Sequence, residues 1–435
     1  MAYTTINKST ANFDTNLYQA NGSGKTISGM NFKPDFIWSK NRDNASYIHA
    51  VVDSVRGGTK KLFPNANTIE TTDSNAVTAF NSDGYTFGSS GSFNYSTENY
   101  VNWCWNAGGT APTKTYKVVV VSDSGNKYRF RNSTDTATFA ASAVTLDLQE
   151  GGTYTFDVSD STLNSHPFVI GTAANGTEYS TGVTYKLDGV TKTYSQYTSG
   201  FSAATSRQLI ITLAASAPAL YYWCSAHSGM GGAINTNATH GSSNFDGSIQ
   251  SLVSENSTAG FSVIKWTGNA VTGATIGHGL GVKPNFIILK NLGPDVASWP
   301  VYHSGIGATK YLSLSDTNTE NTSNTRWDNE EPGALSFKTG SSGDVKGDSS
   351  GEPFVAYCFA DKVGYQKCGE YVGNGDANGT FIYTGFKPKL VVYKNVSEAD
   401  EWFVKDSKRP GHNPTDLMFW SADNAETSLD RMNLL

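Results

Sequence analysis

The stretch "NFKPDFIWSKN" (31–41) decides the fold, because the chain repeats it. It returns as "GVKPNFIILKN" (281–291) and "GFKPKLVVYKN" (385–395), always Lys-Pro, an apolar run and Lys-Asn. The interval from proline to the second lysine never changes: Pro34 to Lys40, Pro284 to Lys290, Pro388 to Lys394. Proline has no N–H to give a central ladder, so it marks where a strand begins. A short aliphatic run bounded by turn residues reads as a buried strand.

The register persists outward. An aromatic followed three residues later by asparagine precedes each proline: Tyr18 and Asn21, Trp266 and Asn269, Tyr371 and Asn374. Behind it comes a polar residue followed by serine, at Asp53-Ser54, His303-Ser304 and Asp406-Ser407. The first two copies share "TKKL" (59–62) and "TKYL" (309–312), and both close on an aromatic-Cys-aromatic strand, "VNWCWNA" (101–107) and "FVAYCFA" (354–360). A unit of roughly 100 residues, with turns every 8–12, reads as an antiparallel β-sandwich of jelly-roll type. Cys104, Cys358 and Cys368 are expected as buried, reduced thiols. Lys40, Lys290 and Lys394 are expected to be solvated at strand ends. Because His303 stands where the other copies have Asp53 and Asp406, no fixed chemical role is expected there. The third copy is short: Cys104 lies 70 residues after Pro34 and Cys358 lies 74 after Pro284, but 47 residues follow Pro388. The expectation is a natural chain that continues past Leu435. Another chain completing the sandwich is the alternative, since an open sheet edge invites pairing.

Composition agrees with strands. Charged residues make up 16% of the 435, aromatics 12%, and glycine is abundant. Long helices would want more Ala, Leu, Glu and Lys. A net charge of −6 gives no reason to expect nucleic acid or an anionic membrane as partner. The N-terminus lacks the basic-then-apolar pattern of a secretory signal, and no apolar run approaches the ~18–20 residues of a membrane span. Synthesis in a cytoplasm, without membrane insertion, is expected.

Residues 113–236 match nothing in the repeat and interrupt it. The expected division is therefore 1–112 for the first module, 113–236 for an insert, 237–370 for a linker and the second module, and 371–435 for an incomplete third. Within the insert, "YTFDVSDSTLNSHPFVI" (154–170) and "LYYWCSAHSGMGGAI" (220–234) carry soft and borderline metal ligands on a strand and a loop. These residues resemble a cupredoxin, the small Greek-key sandwich of blue-copper proteins. The resemblance implies His166, Cys224, His227 and a weak axial Met230 as copper ligands: one thiolate, two imidazoles and a distant thioether. Electron transfer is not expected, because fusion to three structural modules suggests no redox circuit.

The whole chain resembles the repetitive fibre-type virion proteins of phages infecting cyanobacteria and other marine bacteria. The likeness rests on "LYQANGSGKTISGMNFKPDFIW" (17–38), "DSVRGGTKKL" (53–62), "GFSVIKWTGNAVTGATIGHGLGVKPNFIILKN" (260–291) and "YTGFKPKLVVYKN" (383–395). It implies a non-enzymatic virion protein, made in the host cytoplasm: a tail fibre or tail-associated adhesin, trimeric by preference. Its partners would be other virion proteins and a host surface glycan or receptor. A head fibre or capsid decoration protein is the alternative. Further alternatives are a copper redox protein and a glycan-cleaving tailspike. A glycosidase needs two carboxylates across a cleft, yet the acidic cluster Asp328, Glu330 and Glu331 in "RWDNEEPG" reads as a solvated turn. "NGDANGT" (374–380) reads as a hairpin turn rather than a calcium loop. No nucleophile elbow, H-E-x-x-H pair or phosphate-binding glycine loop occurs.

Overall fold

A computed structural model describes residues 4–109, 111–237, 241–293, 297–376, 378–409, 416–428 and 432–434. The chain is all-β, built of antiparallel sandwich modules, and divides into two units. One unit joins residues 1–109 to 254–435 and so contains all three repeats; the other is 110–253.

In the first copy, the strand after Lys-Pro (Phe36–Asn41) lies between the closing strand (Asn99–Trp105) and the return strand (Ala50–Asp53), with the leading strand (Phe13–Gln19) beyond the closing one. The second copy repeats the order with Phe261–Thr267, Pro353–Phe359, Phe286–Asn291 and Pro300–His303. Even the register is copied: Ile37 faces Cys104, and Ile287 faces Cys358. Cys104 and Ile37 belong to a core closed by Tyr85, Phe87 and Phe93. Both cysteines are buried and free, as expected, while Cys368 is only partly covered.

The alternate face of these strands does not see solvent. Phe36 packs 4.4 Å from Tyr357 of the second copy, Trp38 stacks 3.9 Å from Trp420 of the third, and Phe286 lies 6.2 Å from Trp402. Covering on both faces explains why the strands read as unbroken apolar runs rather than as alternation.

Lys40 and Lys290 overturn the expectation of solvated lysines, for both are wholly buried; Lys394 is half-buried. Each Nζ donates to a carbonyl of its own copy (Tyr47, Ala297, Asp400) and to one of a neighbouring copy (Asp423 at 2.9 Å, Asn67 at 3.3 Å, Thr317 at 3.1 Å). The three acceptors are equivalent, each five residues after the residue that pairs with the return strand: Met418 with Val404, Leu62 with Val51, Leu312 with Val301. The first copy thus reaches the third, the second reaches the first, and the third reaches the second. That order is cyclic. Asp423, Asn67 and Thr317 are exposed loop residues, and a lysine stem running through the apolar interior brings its ammonium group out to their carbonyls, a distance no backbone donor covers.

The same ring order recurs in the acid–serine positions. Asp53 and Arg56 form a buried pair at 2.5 Å, and Asp53 accepts from Tyr357 Oη of the second copy at 2.8 Å. Asp406 and Arg409 repeat the pair at 2.5 Å, and Asp406 accepts from Trp103 Nε1 of the first copy at 3.0 Å. These positions are inter-copy anchors, a role that the His303 substitution concealed. His49, Trp299 and Trp402, equivalent to one another, also bond across copies, to the carbonyls of Phe419 (2.7 Å), Ala66 (3.0 Å) and Ser313 (2.8 Å).

The insert is a separate sandwich of six strands over four. Two pairs within it are parallel, Thr113–Lys117 with Thr153–Asp157 and Leu146–Gln149 with Ile234–Asn237. Its core gathers Tyr116, Phe130, Phe156, Phe168, Tyr222 and Phe245. Phe245, stacked 4.8 Å from Phe130, is why the unit runs to 253 rather than ending at the expected 236.

Two outcomes are expected. Lys290→Ala orphans the buried Ala297 carbonyl, breaks the bond to Asn67 and empties the stem's volume. It should cost about 3 kcal/mol in denaturant unfolding, and an unchanged midpoint would contradict the lysine's role. His49 accepts from Trp38 Nε1 at 2.9 Å and reaches the Phe419 carbonyl, an arrangement that needs the neutral ring. Burial, then the Lys40 ammonium, push its pKa down to about 3. The unfolded chain takes up this proton below about pH 6.5 and the folded chain does not, so stability is full above that pH and falls toward 3. A loss of about 2 kcal/mol is expected between pH 7 and 5, and His49→Gln should flatten the slope.

Candidate metal centre

The residues flagged in the insert come together through one strand pair. The strand Phe168–Gly171 runs antiparallel to Leu220–Cys224, with Phe168 opposite Cys224. His166, two residues before the first, and Cys224, at the end of the second, therefore meet at the same edge. The Ser225 N–H bonds to the Pro167 carbonyl at 3.0 Å and the His166 N–H to Leu163 O at 2.7 Å, which fixes both backbones. Tyr128 Oη donates to His166 O at 2.9 Å.

The loop from Cys224 returns tightly. A Cβ on Gly231 would lie 1.8 Å from the Tyr222 carbonyl, so only glycine lets the chain fold back over that strand. Lys127 Nζ donates to the Gly229 carbonyl, and the Tyr128 N–H donates to the Met230 carbonyl at 2.9 Å. His227 is thereby placed over Cys224. Met230 is buried in the same core as Cys224.

His166 Nδ1 and His227 Nδ1 are 3.0 Å apart, and Cys224 Sγ lies 3.8 Å from the first and 3.6 Å from the second. A circle through three points so separated has a radius of about 2.0 Å, against metal–nitrogen distances of about 2.0–2.1 Å and metal–sulfur of about 2.3 Å. The residues fit an ion. Two imidazole lone pairs aimed at each other repel, so the pair is stable only with a shared proton or a cation between them. One thiolate and two imidazoles are the donor set of a trigonal copper site with a weak axial ligand. Burial, then the charge of His227, hold His166 below the ordinary histidine pKa, which favours the neutral imidazole that a metal needs. His166 and Cys224 are buried while His227 is exposed, so the site opens to solvent at one corner.

Asn126 escaped the sequence reading. Its side-chain amide lies 3.3 Å from His166 Nε2. Turned so that its oxygen faces the ring, it accepts from Nε2–H and leaves Nδ1 to a metal. Nothing in "SGNKYRF" singles it out, because its role depends on the approach of a strand to a loop forty residues away.

The acidic cluster does not form a paired-carboxylate cleft. Lys338 reaches both Asp328 and Glu330, and Lys283 bonds Glu331 at 2.6 Å. In "NGDANGT" the chain reversal is held by side chains, with Asn374 Nδ2 on the Asn378 carbonyl and Thr380 Oγ1 on the Val372 carbonyl; no strand pair flanks it, and residue 377 lies outside the described residues. Among the described residues no helix is long and apolar enough to cross a membrane.

The chain belongs to a family defined by a domain of unknown function (DUF7483), whose model matches residues 8–219 and 230–435. Residues 220–229, with Cys224 and His227, fall outside the matched segments. No curated protein and no solved structure matches the chain.

Titration with copper(II) should give one equivalent of bound metal and an intense visible thiolate-to-copper band. Cys224→Ser should abolish the band, and His227→Ala, at an exposed position, should weaken binding by about tenfold or more. Copper bound equally well by Cys224→Ser would place the metal elsewhere.

Proposed function

We propose that this chain is a structural protein of a bacteriophage particle, a tail fibre or tail-associated adhesin, whose inserted domain carries a copper-type metal centre. The observation that carries the reading is the cyclic lock of the three repeats. Buried lysines, Asp–Arg pairs and stacked tryptophans hold three similar modules as one body, which suits a part that must withstand force and proteases. The fibre-type sequence resemblance supplies the particle. Ser-, Thr- and Asn-rich loops between strands suit contact with host surface glycans, and the partners on the other side are further virion proteins.

A copper redox protein is the second reading, favoured by the solvent-open corner at His227. A glycan-cleaving tailspike is weighed against by Glu331: burial alone would raise its pKa, but Lys283, Tyr302 Oη and the Ala308 N–H hold it below the usual range, the wrong direction for a general acid.

Gold-labelled antibody against residues 1–112, imaged on intact particles, tests the proposal. Label on the tail or its appendages is the expected result. Label over the head would make it a decoration protein or head fibre, and particles without label would overturn the virion reading.

A further inference from the structure

We propose that the open edge of the third repeat is a docking site for a single β-strand of the repeats' own closing type. The inference is independent of the metal centre and of the virion reading. Among the described residues, Leu390–Lys394 is the outer strand of a sheet continued by Trp402–Asp406 and Met418–Phe419. Its counterparts Phe36–Asn41 and Phe286–Asn291 are central, each with a closing strand on the other side. All six residues of Phe36–Asn41 are buried; all five of Leu390–Lys394 are only half so. The leading segment of this copy forms no strand, and Val372, Phe381 and Tyr383 are exposed.

Beside this edge runs a groove of about 200 Å³, lined by Leu390, Phe386, Tyr365 and Gln366 and, from the first copy, by Phe13 and Trp105. The intact copies show what such a place accepts. The last aromatic of a closing strand sits opposite Phe36 (Trp105) or Phe286 (Phe359), and Trp105 also packs 6.3 Å from Phe261, the leading aromatic of the next copy. By the same cyclic order, an incoming strand would lay its last aromatic opposite Leu390, in the groove against Phe13. Its cysteine would face Val391, as Cys104 faces Ile37. Its middle aromatic would face Val392 and reach His303, as Trp103 reaches Asp406 and Tyr357 reaches Asp53. The occupant is thus an antiparallel strand reading aromatic–Val–x–aromatic–Cys–aromatic, held by main-chain bonds and read by alternate side chains.

The probe is a synthetic peptide of residues 99–107, "NYVNWCWNA", added to the full chain and followed by calorimetry and amide hydrogen exchange. One peptide per chain should bind, Val391–Lys394 should slow in exchange, a scrambled peptide should not bind, and Leu390→Asp should weaken binding about tenfold or more. Absence of binding, equal binding to Leu390→Asp, or a chain that is already dimeric with these amides protected would each overturn the proposal. The last would make a second copy the occupant.

Discussion

Three lysines with no access, or little access, to water organise the repeat unit. An ammonium group in a sandwich interior loses its hydration and is tolerated only where carbonyls replace it. Lys40 and Lys290 feel that loss, for burial pushes both down to about 8. Each answers it by taking one carbonyl from its own copy and one from another, so the bond that satisfies the lysine also fixes the neighbouring module. The Lys-Asn that ends every repeat strand is, in this light, an assembly device. It joins three copies in a cyclic order within one polypeptide.

The second structural theme is the contrast between the repeats and the insert. In the repeats, polar side chains are buried to hold modules to one another. In the insert, one cluster is distinct from the apolar packing: two imidazoles, one of them exposed, and a thiol stand at separations that fit a bound ion. Gly231 serves that cluster by letting the ligand loop lie against the strand at Tyr222. Because the family model passes over residues 220–229, membership of the family does not by itself imply a metal centre, and the proposal of one rests on the geometry of this chain.

Much of this was legible in the sequence, for identifiable reasons. Lys-Pro at a strand start, a constant interval to Lys-Asn and an aromatic-Cys-aromatic close are local patterns, and they defined the strands and their number of copies. His166, Cys224 and His227 were legible because the ligand types are rare and the loop spacing is short. What was hidden depends on distance along the chain. A lysine at a strand end is ordinarily solvated, and nothing near Lys290 reveals that Asn67 will come to meet it. Phe245 looked like linker because its partner Phe130 is more than a hundred residues earlier. His303 looked like evidence against a role for the acid–serine position, when it marks the one copy that no closing strand reaches among the described residues.

Native-state hydrogen exchange across the three copies tests the central claim most directly. If the lysine ring makes them one body, the slowest amides of Phe36–Asn41, Phe286–Asn291 and Trp402–Asp406 should exchange through a common opening, with the same free energy and the same denaturant dependence. An opening of lower free energy confined to one copy, leaving the other two protected, would contradict the account and reduce the buried lysines to local features of independent modules.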